Sequence, residues 1–243
     1  MLFSLLLVSF VNISQQHTRQ HRTYQAENGI DYVNLWQQFE QGKLSAQLLA
    51  GANVQRNQVS LVTYQGQKYI FKTSINDDNR LKKRIVDWVH GTFYVYCMKR
   101  GWQAHHNGSN IAPLIYLVID HYSGKRLTHS HLIAEYVDGH SLRNTIEVEQ
   151  HGEAIKQAIV ELHQHKMASA DLHLGNLIVS PTGIRFIDLS DRDWLCVAQC
   201  KDVMSAKRKW NLDVSPKPRF FYLLSSKERL RLWLRTLRSN KPI

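Results

Sequence analysis

Asp171-Leu-His-Leu-Gly-Asn176, followed shortly by Phe186-Ile-Asp188, decides how this chain folds and what chemistry it can carry. Between them, Leu177-Ile-Val179 and Ile184-Arg-Phe-Ile187 flank Ser180-Pro-Thr-Gly183, two short apolar runs around residues suited to a tight turn. That pattern predicts a hairpin, and a hairpin brings its two ends together. Asn176 stands just before it, Asp188 just after it, and Asp171 in the preceding loop, so three oxygen-bearing side chains converge. The Asn176 amide oxygen and the Asp188 carboxylate are ligands for a hard cation such as Mg2+, the ion of nucleotide chemistry. Asp171 is left to accept a proton from an attacking hydroxyl, or to orient it. A capped loop and a hairpin end would explain each residue singly, but not three roles occurring in order.

Upstream of the hairpin, Ile155, Ala158, Ile159 and Leu162 recur at i, i+3, i+4 and i+7, which predicts a helix from about Gly152 to Met167. Downstream, Leu230, Trp233, Leu234 and Leu237 mark a second amphipathic helix over 226–237. The first half reads differently. Val59, Leu61 and Thr63 alternate, Gln65-Gly66-Gln67 supplies a turn, and Lys68-Tyr-Ile-Phe-Lys72 is a second strand. Leu81, Ile85, Trp88 and Val89 give helical spacing over 80–98. Residues 113–119 and 131–137 are buried strands by composition, with Tyr122-Ser-Gly-Lys125 between them and Asp138-Gly139 ending the second. Gln15 to Gln41 is polar apart from Tyr24, Tyr32, Trp36 and Phe39 and reads as a connecting extension. Strands with one helix, then helices, make an α+β chain.

Asp171-Leu-His-Leu-Gly-Asn176 with Asp188 resembles the catalytic segment of kinase-fold phosphotransferases, in the variant used by small-molecule and sugar kinases. The resemblance implies a protein-kinase-like two-lobed fold: an extension over 1–43, a mainly antiparallel-sheet N-lobe over 44–137 and a helical C-lobe over 138–243. It also implies ATP and Mg2+ as cofactors. Asp171 is then the catalytic carboxylate, Asn176 and Asp188 the metal ligands, and Lys72 the lysine on the α/β-phosphates. Alone, Lys72 would read as an exposed strand-end lysine. Glu135-Tyr-Val137 falls where such enzymes hold adenine by the backbone, with Glu135 and Val137 making the contacts. The chain departs from the pattern in four places. Gly51-Ala-Asn-Val54 replaces a glycine-rich loop, Ser169 stands for the usual His, and Ser190 takes the third place of the metal-binding triplet. Asp87 is the acid on the predicted helix that could pair with Lys72.

The 55 residues after Asp188 contain no Ala-Pro-Glu and no activation segment of the kind protein kinases use to hold a peptide, so the acceptor is a small molecule or a glycan. The wording narrows further. Lys68 to Lys72, Arg80-Leu-Lys-Lys-Arg84, Gly91-Thr-Phe-Tyr94 and Glu135-Tyr-Val-Asp-Gly139 are similar to the lipopolysaccharide core heptose(II) kinase family, from about Leu48 to Lys209. That resemblance implies phosphorylation of a sugar, heptose II, in the inner core, on the cytoplasmic face of the inner membrane. Two other readings stand beside it. One is a small-molecule kinase of the aminoglycoside or choline type, whose cationic acceptors call for an acidic pocket. The other is a nucleotide-binding pseudokinase or a basic scaffold on nucleic acid, against which all three polar catalytic positions are present.

Composition agrees with an anionic partner. The 243 residues are 43% hydrophobic, which excludes disorder, and carry 31 Lys and Arg against 20 Asp and Glu. Of the net +11, +9 lies between Lys201 and Ile243, with Lys207, Arg208 and Lys209 in one run. A solvated face explains any one of these residues. Their concentration points to peripheral contact with an anionic membrane surface bearing the core glycan, and no nucleic acid is expected. Met1 to Ile13 is apolar but too short to cross a bilayer; it reads as a packed helix or a shallow membrane-surface segment, the packed helix being preferred. Cys97, Cys196 and Cys200 are too few for a disulfide framework, and Cys196 and Cys200 read as free thiols on a helix. His163 and His165 sit two apart on a helix and point apart, one to the core and one to solvent. His105-His106 and His129-Ser-His131 read as loop and strand surface, and Trp210, Phe220, Phe221 and Tyr222 as core.

Overall fold

A computed structural model describes residues 13–18, 20–49, 57–75, 92–189 and 195–239. The Gly51–Val54 loop, the stretch 80–91 with Asp87, Ser190 and the apolar run up to residue 12 lie outside the described residues. The chain divides into two compact units, Met1–Val137 and Asp138–Ile243.

The first unit is built on an antiparallel sheet of strands β1 (Ile13–His17), β2 (His21–Ala26), β3 (Ala46–Leu49), β4 (Asn57–Tyr64), β5 (Gln67–Ile75), β6 (Ile115–Ser123) and β7 (Arg126–Glu135), ordered β1-β2-β6-β7-β5-β4-β3. The β4–β5 hairpin turns at Gln65-Gly66, where φ is positive at both residues. Helix α1 (Tyr32–Glu40) starts at Asp31, whose carboxylate accepts from Asn34 N at 3.1 Å. It lays Tyr32, Leu35 and Trp36 on Val62, Tyr69, Phe71, Leu117 and Ile133 of one sheet face. Burying side chains such as Leu35 and Phe71 contributes about 1.5–3 kcal/mol each. Helix α2 (Phe93–His106) lies against β6, where Trp102 Nε1 donates to Ile115 O at 2.9 Å. Thr92 and Ser130 hydroxyls both donate to the buried Asp120 carboxylate.

Residues 13–41 are therefore no connecting extension. β2 pairs with β6 along its length, β1 pairs with β2, and α1 supplies part of the core. The extension reading failed because these two strands bury few side chains, none fully on β1 and only Tyr24 and Ala26 on β2, so their pairing leaves little mark in their composition.

The second unit begins with β8 (His140–Ser141), which pairs with β9 (Leu177–Ser180), itself the partner of β10 (Gly183–Phe186) in the expected hairpin. Helices α3 (Thr145–Gln150), α4 (Gly152–Gln164), α5 (Leu195–Trp210) and α6 (Phe221–Ser239) complete it. Ile155, Ala158, Ile159 and Leu162 of α4 are all buried, as their spacing predicted. Cys97, Cys196 and Cys200 are free thiols. Phe220 and Tyr222, read as core, are instead 64% and 72% exposed. Among the described residues no helix is long and apolar enough to cross a membrane.

Gly139 is the most closely approached of the described glycines. Its φ is +145°, and a Cβ there would run into Val179 O and come within 2.7 Å of Ile178 Cγ2. The backbone strain alone is worth about 1–3 kcal/mol, and neither the carbonyl nor the strand can move aside cheaply. Gly139→Ala is thus expected to lower the thermal midpoint by several degrees. An unchanged midpoint in a melting experiment would show that the β8–β9 approach is looser than this.

Candidate active site

The loop that carries Asp171 follows α4 and is held almost wholly by its backbone. Asp202, on α5 and 1% exposed, accepts from Ser169 N at 3.0 Å and from Ala170 N at 2.7 Å. Its Oδ2 also meets His163 Nε2 at 3.1 Å. Hydrogen bonds to a buried carboxylate are stronger than neutral ones, and here they hold Ala170 at φ +54°, a region that alanine avoids. Lys209 Nζ donates to Leu172 O at 2.6 Å, and Asn176 Nδ2 donates to Asp171 O at 3.1 Å. The main chain from 169 to 172 is thus pinned from three directions. The Asp171 side chain is exposed, and among the described residues no side chain binds its carboxylate.

A turn of 3₁₀ helix (Leu174–Asn176) leads into the hairpin. Leu177 pairs with Phe186, and the ladder extends one step further because Ile187 N donates to Asn176 O at 3.1 Å. Asp188 follows directly and is exposed, so the open end of the hairpin joins it to Asn176. Asn176 is 7% exposed, and since its Nδ2 is committed to Asp171 O, its Oδ1 is the atom left for a cation. An amide oxygen and a carboxylate form an all-oxygen donor set, which fits Mg2+ and does not suit a softer ion.

Lys72, Glu135 and Val137 belong to the first unit. Lys72 is half-buried on β5, between Val59 of β4 and Leu132 of β7, with Nζ 5.7 Å from the centroid of the Tyr94 ring on α2. Glu135 ends β7 opposite Tyr69, and its Oε2 accepts from Leu114 N at 3.0 Å. Val137 is buried.

Three residues outside the loop that help to hold it carry roles the sequence reading did not assign. His163, read as core, is nearly buried and there meets the Asp202 carboxylate. Lys209, read as part of an acceptor-facing run, is spent on Leu172 O, and Lys207 reaches Asn211 Oδ1 at 2.9 Å. Asp202 was counted only as one acid in a basic stretch. Its signal was there: Ala198, Asp202, Val203 and Ala206 share the buried face of α5, and an acid on an apolar stripe needs buried donors.

Residues 12–240 match the family described as "Lipopolysaccharide core biosynthesis protein (WaaY)". The chain belongs to this family. The match spans both units, including the strands and helix that precede Leu48. A relative from Escherichia coli (strain K12), named "Lipopolysaccharide core heptose(II) kinase WaaY", is 25% identical over 218 residues, covering 89% of this chain and 93% of the relative. A second relative of that name from Escherichia coli is 24% identical over 187 residues, covering 76% and 81%.

Proposed function

We propose that this family member is an ATP-dependent kinase that phosphorylates a heptose hydroxyl, on heptose II, of the lipopolysaccharide inner core. The observation that carries the reading is the pinned loop and hairpin, which gathers Asp171, Asn176 and Asp188 while leaving the Asp171 carboxylate uncommitted. The names of the two relatives support the acceptor. In this reading the two units are the lobes of a protein-kinase-like fold. Lys72 Nζ binds α- and β-phosphate oxygens, and the main chain of Glu135 and Val137 holds the adenine ring. Asp171 orients the sugar hydroxyl and takes its proton. Asn176 and Asp188 would hold Mg2+, which when bound neutralises phosphate charge. The protein contributes position and electrostatics rather than covalent chemistry. The test is mass spectrometry of unphosphorylated lipopolysaccharide core incubated with the protein, ATP and Mg2+. One added phosphate, mapped by fragmentation to the second heptose, is expected; no gain from folded, ATP-binding protein would overturn the reading.

The acceptor is anchored in a membrane, and the protein is proposed to work peripherally on the cytoplasmic face of the inner membrane. Support comes from α6, where Tyr222, Leu223, Leu230 and Trp233 share one side of the helix and are 55–72% exposed, beside exposed Lys227 and Arg231. An apolar stripe with basic flanks suits the boundary of an anionic bilayer. The full-length protein is expected to co-sediment with vesicles containing phosphatidylglycerol, less so as salt rises. Leu230→Glu with Trp233→Glu lowers the partition coefficient by at least about tenfold, since each apolar side chain buried is worth about 1.5–3 kcal/mol. Equal binding by the double variant would count against α6 as the contact.

A further inference from the structure

Four of the histidines that phosphotransfer leaves unused are gathered in one place. His21 on β2 stands opposite His121 on β6, and His121 opposite His129 on β7, with His131 two residues further along that strand. Strand alternation sets His131 on the same face as Ile133, the face α1 covers, and opposite to the face of Lys72. Helix α1 ends at Glu40, with the Trp36 ring 4.6 Å from that of His131, so the histidines begin where the apolar cover stops. The His121 and His129 rings stack at 4.2 Å, and His131 stands edge-on to both at 5.0 Å. One ring nitrogen from each lies within 4.8 Å of the other two.

This grouping depends on a bulge. Tyr122 pairs with Leu127, yet His121 pairs with His129, so Thr128 is the extra residue. Were the register of Tyr122 and Leu127 carried on unbroken, His121 would face Thr128, and His129 would stand on the other side of the sheet. Thr128 also fixes the chemistry of its neighbour. Its single hydroxyl hydrogen goes to His121 O at 3.0 Å, so towards His129 Nδ1, also at 3.0 Å, the oxygen acts as acceptor. His129 then carries its proton on Nδ1 and keeps the lone pair of Nε2. Thr73 Oγ1 meets His131 Nδ1 at 3.0 Å and can serve His131 in the same way. A hydrogen-bonded Nδ1 and a bare Nε2 are how a metal-binding histidine is prepared. Burial agrees, lowering His129 and holding His121 and His131 down to about 4, so all three rings are neutral at neutral pH.

We infer that His121, His129 and His131 form a binding site for one transition-metal ion, of which Zn2+ is the fitting kind, on the sheet face opposite Lys72. Three imidazoles with no carboxylate among them select a borderline ion and reject Mg2+. Zn–N bonds of 2.0–2.1 Å set ligand nitrogens roughly 3.3 Å apart in a tetrahedral site, so the rings close by up to about 1.5 Å, within reach of side-chain rotation. Water takes the fourth position. The ion ties β6 to β7 beside the end of α1, a role independent of the phosphotransfer reading.

The test uses full-length protein stripped with a chelator and titrated with ZnCl2 against a chromophoric competitor. One Zn2+ per chain is expected, with affinity at least about 100-fold weaker in His129→Gln/His131→Gln and about 10–100-fold weaker in Thr128→Val, which removes only the supporting hydroxyl. Zn2+ should raise the thermal midpoint of the wild type and not that of the double variant. X-ray absorption of the wild type, which needs no variant, should count three imidazoles around zinc. Absence of stoichiometric binding, unchanged affinity in the double variant, or fewer than three imidazoles would overturn the site and assign any zinc uptake to scattered surface histidines.

Discussion

Asp171→Asn lowers phosphate transfer to lipopolysaccharide core by about 10²- to 10⁴-fold, the range lost with a positioned general base. The exchange is almost isosteric and falls on an exposed side chain whose carboxylate binds no other described side chain. The bond from Asn176 Nδ2 goes to the Asp171 main-chain oxygen, so it survives the substitution, as do the bonds from Asp202 to Ser169 N and Ala170 N. Unfolding free energy should therefore change by no more than about 0.5 kcal/mol. An amide can still receive a hydrogen bond from the acceptor hydroxyl but cannot take its proton, so turnover falls more than acceptor binding. Mass spectrometry of the core glycan reads the first effect and a urea melt the second. Near-normal turnover in a folded variant would remove Asp171 from the chemistry.

What was legible in the sequence was local. The β4–β5 and β9–β10 hairpins each carry both strands and their turn within a short window, and the buried face of α4 repeats at helical spacing. The positions of Asn176 and Asp188 were readable for the same reason, since one hairpin brings them together, whereas Asp171 lies in the loop before it. Features that hid depend on partners far along the chain. β2 finds β6 across almost a hundred residues, and only Tyr24 and Ala26 of β2 are buried, too few to announce a strand. Helix α1 did carry its signal, with Tyr32, Leu35, Trp36 and Phe39 at i, i+3, i+4 and i+7 behind a capping Asp31. It was passed over as a few aromatics in a polar stretch. His129 and His131, read as strand surface, are half-buried because they continue the alternation of Ile133 on the face that α1 covers, and that face is fixed by β6 and α1, far away in the chain.

Asp202 was the least legible, because its principal partners are main-chain N–H groups that have no residue identity, and its removal is expected to have the largest effect on stability. Asp202→Ala leaves the buried Ser169 N–H and the neighbouring Ala170 N–H without an acceptor, at about 1–3 kcal/mol each, and strips His163 of its partner. A loss of about 2–5 kcal/mol is expected, or a midpoint lowered by roughly 5–15 °C. Function should fall even in molecules that remain folded. Ala170 is kept at φ +54° by these bonds; once released, the loop relaxes and carries Asp171 with it. A displacement of about 1 Å at the reacting group is enough to cost about 10²-fold in rate. Asp202→Asn, which keeps the shape and one accepting oxygen, should unfold less easily than the alanine variant yet still lose turnover. In either variant kcat is expected to drop while the ATP dissociation constant holds, because the residues proposed to hold ATP, Lys72, Glu135 and Val137, belong to the other unit. Ala170→Gly supplies the discriminating control: glycine adopts positive φ without strain, so adding it to Asp202→Asn should restore part of the lost stability. If Asp202→Ala melts and turns over like the wild type, the loop is held by Lys209 and Asn176 alone, and the buried carboxylate of α5 has no part in placing Asp171.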